Sequence, residues 1–196
     1  MRDIGYYLEK AWKKAIDYAC KYYHYSKSVP VNTHWYNVFF NTKWCWVILF
    51  WTWANNNIWK PFWLKQWQVI ELVRIALNWK QWNVSEPLWI ALKLIKKHVP
   101  LCKLIVSYAD WKQWHVGWIY QATNRIYLWW SWSTQYVDPK TWKVEHAKTL
   151  NWRYWTVKWL KAIKQEIKYK YIYCIDKELQ EKMKKLWKEY PKNVRV

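Results

Sequence analysis

"VIELVRIALNWKQWNVSEPLWIALKLIKKHVPLCKLIVSYAD", residues 69–110, decides the fold. The run from Val69 to Leu77 is apolar almost throughout and bounded by turn signals, as a buried strand requires. After the loop "NWKQWNV", "SEPLWIALKLIKKH" has apolar residues at helical spacing, with Ser85 placed as N-cap and Pro87 in the first turn, where a missing N–H costs little. "CKLIVSYAD" is a second, nearly continuous apolar strand that ends in polar residues. Strand, helix, strand in this order predicts a parallel pair joined by a crossover helix. Such sheets take ligands at the carboxyl ends of their strands, and a helix starting there offers unpaired N–H groups to an anion. Asn83, Val84 and Ser85 are the candidate residues for binding a phosphate-bearing cofactor.

Downstream, "HVGWIYQATN" reads as a short helix and "RIYLW" as a further strand, expected parallel to its neighbours. "DPKTWKVE" reads as a hairpin loop and "LNWRYWTVKW" as turns. Upstream, "YYLEKAWKKAIDYACKYYHYS" is spaced as one amphipathic helix, and "YNVFFN" with "VILF" as an antiparallel hairpin before an asparagine-rich loop. The whole predicts an α/β (α+β) fold, a central mixed sheet flanked by helices, in one domain over residues 1–196. No stretch approaches the roughly 20 apolar residues of a membrane span, and the N-terminus lacks a signal-peptide core. A soluble, cytoplasmic protein with no membrane partner is expected. Cys20, Cys45, Cys102 and Cys174 form no C-x-x-C pair and read as buried or free thiols.

The composition holds two complementary anomalies: 2 Gly beside 23 Trp. A chain of this length ordinarily carries about 7% Gly, roughly 14 residues. The tryptophans fall in turn-like settings with no period of 3.6 or 2, in places where a residue tolerating φ > 0 is needed. Some bacterial lineages and their phages read UGA as glycine, whereas the commonest alternative decoding reads it as tryptophan. The expectation is that most Trp letters stand for Gly, with Trp44 the clearest candidate for a true Trp. Trp79, Trp82, Trp111, Trp129, Trp130 and Trp142 should then lie in loops or at element ends.

The net charge is +20, and Lys and Arg gather in residues 158–196. A polyanion suits that field, because neutralised phosphates release counterions. The plainer account is a solvated, lysine-biased surface.

The core unit resembles the GNAT-type N-acetyltransferase fold, which binds the pyrophosphate of an acyl-coenzyme A at the crossover helix. Its usual Q/R-x-x-G-x-G/A loop is not present; "NWKQWNVSEPL", read with Gly at Trp79 and Trp82, is at best a variant. "HYSKSVP", "ELVRIAL", "SYADWKQWHVGWIYQATNRIYL" and the terminal "KYIY…EYPK" together resemble the Mom family of bacteriophage DNA modification proteins. With glycine at Trp111, Trp114 and Trp118 the central motif comes closer still. The resemblance implies an acyltransferase-like fold and conversion of the exocyclic amine of adenine in double-stranded phage DNA to a methylcarbamoylated form, which protects it from host restriction. It also implies acetyl-CoA or a related acyl donor, and iron.

On that resemblance, His24 and Tyr25 fall on a His-Tyr pair that holds a metal or the reacting centre, and with Asp110 form the implied iron ligands. Arg74 falls on a charged residue near the end of the central strand that could clamp a phosphate. Asp110 and Tyr120 fall on a polar pair: Asp110 to orient a base or ligate metal, Tyr120 to protonate a leaving thiolate. Each has a plainer reading: His24 packed in an aromatic loop, Arg74 paired with Glu71, Asp110 capping the next helix, Tyr120 as core. His115 is a candidate second imidazole. Two other functions remain open, an N-acetyltransferase for a protein or small amine, and single-strand binding through stacked aromatics should the tryptophans be real.

Overall fold

A computed structural model describes residues 5–30, 33–52, 57–78, 80, 83–113 and 115–191. Among these, the strands β1 (Tyr6–Lys10), β2 (His34–Phe40), β3 (Lys43–Trp51), β4 (Val69–Ala76), β5 (Leu104–Asp110), β6 (Ile126–Val137), β7 (Val144–His146) and β8 (Ala162–Cys174) form one sheet in the order β1-β2-β3-β4-β5-β8-β6-β7. The helices are α1 (Lys13–Tyr23), α2 (Ser85–His98), α3 (Trp118–Gln121), α4 (Ala147–Tyr154) and α5 (Lys177–Lys184). This is the mixed α/β sheet flanked by helices that the sequence predicts.

Strand alternation builds two apolar layers. On β3, Trp46, Ile48 and Phe50 face α2, whose Leu88, Ala91, Leu92 and Ile95 recur at helical spacing, and all of them are buried. Val47 and Leu49 face the other way, against Ala15, Ile16, Ala19 and Cys20 of α1. Farther along that second face, Leu104 and Val106 pack with Leu179 and Met183 of α5. β4 and β5 are buried on both sides, which is why their sequences are unbroken apolar runs.

Several local readings change. The first five residues of the expected N-terminal helix, Tyr6–Lys10, are an edge strand paired with β2. Among the described residues only β4 and β5 run parallel; β6 pairs antiparallel with β8, which inserts beside β5. Sequence order alone cannot show a strand arriving from the C-terminal segment. Of residues 150–159, read as turns, residues 150–154 belong to α4. Ser85 is not the cap of α2: Val84 holds that position without a side-chain bond, and Asn83 Oδ1 takes both the Glu86 N–H (3.3 Å) and the Ser85 hydroxyl (3.0 Å). All four cysteines are free and buried. No helix among the described residues is long and apolar enough to cross a membrane.

Trp63 (φ 54), Trp129 (φ 150), Trp142 (φ 57) and Trp155 (φ 65) occupy backbone conformations that favour glycine. Trp142 closes the β6–β7 hairpin, its N–H bonded to Asp138 O at 2.8 Å, and its side chain is 81% exposed. Trp155 follows the last turn of α4, the usual place of a C-terminal glycine, and is 94% exposed. Trp111 and Trp118 open short helices, and Trp130 lies within β6 beside Trp129. Trp152, in α4, is exposed. Trp79, Trp82 and Trp114 lie outside the described residues. By contrast Trp46 is buried in the core, and Trp44 Nε1 donates to Asn37 Oδ1 at 3.0 Å while its ring packs on Tyr18 and Tyr23.

A left-handed backbone costs a side-chain-bearing residue about 1–2 kcal/mol. Trp142→Gly, which gives up an exposed ring and relieves that strain, is expected to raise unfolding free energy by about 1 kcal/mol in a denaturant titration.

Candidate functional site

β4 and β5 pair only over Val69–Leu72 and Leu104–Ser107, although β4 runs on to Ala76 and β5 to Asp110. The parting coincides with a bulge. Opposite β3, Phe50 pairs with Leu72 and Leu49 with Arg74, so Val73 is an extra residue. A bulge bends its strand and re-aims the next side chain. Here it carries β4 away from β5 and turns Arg74, which strict alternation would place beside Leu72 on the α2 side, toward α1. The resulting wedge is the mouth of a cleft of about 1350 Å³ that side chains line from both faces of the sheet.

His24, Tyr25, Arg74, Asn83, Val84, Ser85, Asp110 and Tyr120 all line this cleft, and so does His115. His24 and Tyr25 leave the end of α1 on the same side of the sheet as Asp110. The Tyr25 hydroxyl donates to Asp110 Oδ2 at 3.2 Å. The His24 and Tyr25 rings lie 4.2 Å apart, and His115 meets Tyr25 edge-on at 6.0 Å. His24 Nδ1 accepts the Ser26 N–H at 3.2 Å and is 3.0 Å from Ser26 Oγ. Arg74 Nη1 donates to Ser26 Oγ and to Ser28 O, latching the turn that carries His24 and Tyr25. Tyr120 comes from the opposite face; it belongs to the core, 5.3 Å from Tyr171, and also reaches the cleft wall.

Burial sets the charge states. It pulls His24 down to about 3, assisted by the Arg74 and His115 charges, so the imidazole is neutral near pH 7. Burial and then the Asp110 carboxylate push the Tyr25 phenol well above its ordinary value. His115 is lowered by burial, against the pull of Asp110. Tyr120 is pushed up to about 12 by burial, with Arg125 opposing.

The arrangement of this donor set gives no support to iron. Tyr25 remains a phenol whose proton is given to Asp110, and His24 Nδ1 is occupied by Ser26. Among the described residues no three His, Cys, Asp or Glu side chains gather as a metal site. The expected ligand trio of His24, Tyr25 and Asp110 is instead a hydrogen-bonded pair beside a neutral imidazole.

Sequence reading missed Ser26 and Ser28, which receive Arg74, and Glu71, Gln113 and Lys168, which also line the cleft. Lys168 reaches it because β8 sets it opposite Asp110, a pairing no local pattern announces.

His24 makes stability pH-dependent. The unfolded chain protonates this imidazole near 6.5 and the folded chain only near 3, so its contribution is complete above 6.5 and is lost as pH falls toward 3. His24→Gln is expected to flatten that loss, read as unfolding free energy against pH; an unchanged slope would contradict the half-buried neutral imidazole.

Among solved structures, a polyamine N-acetyltransferase of Drosophila melanogaster is similar with a TM-score of 0.47 and 6% identity, covering 87% of this chain and 100% of that one. No curated protein matches. Residues 6–192 match the Mom protein family, nearly the whole length, and the chain belongs to that family.

Proposed function

We propose that this protein modifies the exocyclic amine of adenine in double-stranded DNA by transfer of an acyl-type group. The carrying observation is the wedge itself: a cleft that brings the Tyr25–Asp110 pair, neutral His24 and Tyr120 together beside the start of α2. Membership of the Mom family supports adenine as substrate, on the family resemblance described above. A base in a duplex must leave the stack to enter such a cleft. Lys27 and Lys168 on its wall, within a chain of net charge +20, suit the phosphates that follow the base in. Lys182 and Lys184 are engaged by Glu178 (2.5 Å) and Glu181 (2.6 Å), so α5 contributes less free charge than its sequence suggests.

A thioester such as acetyl-CoA fits the wedge. The start of α2 at Val84 and Ser85 would hold its phosphates, and the facing edges of β4 and β5, unpaired with each other past Leu72 and Ser107, would hold its amide chain. Bound there, it would supply an activated carbonyl carbon. Asp110 is placed to take the proton that the adenine amine releases, and Tyr25 orients that carboxylate. His24, neutral, adds no competing charge. Tyr120 reaches the cleft from the opposite wall, where a proton is required at the departing sulfur. Acetyl transfer leaves an acetyl group on the amine, whereas the group that the family resemblance implies carries a nitrogen that acetyl-CoA does not supply. The mass of the product nucleoside therefore identifies the donor class.

We also infer that the tryptophans at left-handed positions stand for glycine in the protein made by its own translation system. The support is backbone geometry: Trp63, Trp142 and Trp155 lie at φ 54–65, and all three are exposed. Peptides spanning Trp142 and Trp155, isolated from the native host, are expected to have the masses of the glycine forms; tryptophan masses there would end this reading.

With the protein expressed beside a plasmid, modified adenine is expected in the digested nucleosides. Asp110→Asn should abolish it while leaving DNA binding intact, and Tyr25→Phe should reduce it roughly tenfold or more. A wild-type protein that leaves adenine untouched yet acetylates a protein amine from acetyl-CoA would replace this function with a general N-acetyltransferase.

A further inference from the structure

Arg125 is wholly buried, 0% exposed. Its Nη1 donates to Ser107 Oγ and its Nε to Thr123 Oγ1 at 3.3 Å, while the buried Nη2 has no hydrogen-bond partner among the described residues. Among the described residues no carboxylate pairs with it. Taking a guanidinium out of water costs several kcal/mol, and two neutral hydroxyls offset little of that. Any neutral donor of similar length would satisfy Ser107 and Thr123, so hydrogen bonding alone does not explain a cation at this position.

The neighbours of the guanidinium are aromatic. Its carbon lies 5.0 Å from the centre of the Tyr120 ring and 6.0 Å from that of Tyr173, within the range of cation–π attraction. Tyr120 lines the cleft, and its hydroxyl makes no hydrogen bond among the described residues. It is thus a phenol of the cleft wall, with no hydrogen-bond partner among the described residues and a fixed cation at its ring.

We propose that Arg125 is a positioning residue that acts as the counter-cation of Tyr120, taking up the negative charge left on the phenol oxygen when that proton is given to a departing thiolate. This rests on the thioester reading above. In the step, the adenine amine forms the N–C bond, the C–S bond breaks with its electron pair on sulfur, and the Tyr120 proton passes to that sulfur. The amine proton goes to Asp110 and from there to water, and water returns a proton to Tyr120. A free thiol and an acylated amine result, with the enzyme regenerated. Arg125 touches neither substrate nor donor; it acts through Tyr120. The charge states agree, since burial lowers Arg125 only to about 10, so it remains protonated near neutrality, and its charge opposes the rise that burial and Glu71 impose on Tyr120.

The test places a fluorinated tyrosine at position 120, whose phenolate is read by absorbance, and titrates it with Arg125 intact and replaced. Arg125→Met is expected to raise the apparent pKa of that phenol by about one to three units. Arg125→Lys should restore most of the difference. Arg125→Gln, which can keep the bonds to Ser107 and Thr123, carries the same expectation as Met and serves if Met fails to fold. A phenol that titrates alike in the wild type and Arg125→Gln, or a shift that Lys does not reverse, overturns the inference. A second arm uses turnover of acetyl-CoA against that of an acetyl aryl thioester, whose thiol leaves without help. Loss of Arg125 should lower kcat for acetyl-CoA roughly tenfold or more, with KM unchanged and little effect on the aryl donor; an equal loss on both donors overturns it. A wild type inert toward every thioester would defeat the acyl-transfer reading, while the titration would still decide the pairing of Arg125 with Tyr120.

Discussion

One extra residue in one strand sets the cleft. Val73, bulged opposite Leu49 and Phe50, ends the parallel pairing of β4 with β5 after four residues and opens the sheet where both strands end. Without it the two strands would stay in register to their tips and Arg74 would point toward α2. With it, Arg74 reaches across to Ser26 and Ser28 and fixes the turn that delivers Tyr25 to Asp110. The wedge, the latch and the hydrogen-bonded pair are three results of the same local irregularity.

Desolvation rather than ion pairing then governs the chemistry of the wall. The largest influence on His24, Tyr25, Arg74, His115 and Tyr120 is burial in every case, and it pushes each toward its neutral form. The same environment keeps Tyr25 a phenol that donates to Asp110.

The part of the fold legible in sequence is the part encoded locally. The apolar runs of β4 and β5, the helical spacing of α2 and the polar end of β5 at Asp110 were readable because burial on both faces leaves a one-dimensional trace. Resemblance in the motifs around His24, Tyr25, Arg74, Asp110 and Tyr120 pointed to residues that the chain does bring to one cleft. The rest depended on partners far away in sequence. Tyr6–Lys10 has helical spacing, but β2 offers an open edge and the segment takes it. β8 enters beside β5 and brings Lys168 opposite Asp110, which no window of residues contains. The bulge at Val73 reverses the side of Arg74, so alternation counted from Val69 gives the wrong face. Arg125 looked like one more basic residue, and only its burial without an acid distinguishes it.

Gly117 stands where two parts of the chain meet without room for a side chain. A Cβ there would lie 2.4 Å from Cε2 of Tyr171, whose hydroxyl donates to Val116 O and meets Gln121 Nε2 at 3.3 Å. The start of α3 is therefore seated on β8 with no clearance, and Tyr120 is carried on a wall that cannot recede. The opposite wall rests on the Arg74 latch, at an exposed turn beyond the end of α1. The two sides of the cleft are mechanically unequal, one an anvil and the other a jaw. Any widening of the cleft therefore falls to the His24–Ser28 turn rather than to the wall that carries Tyr120.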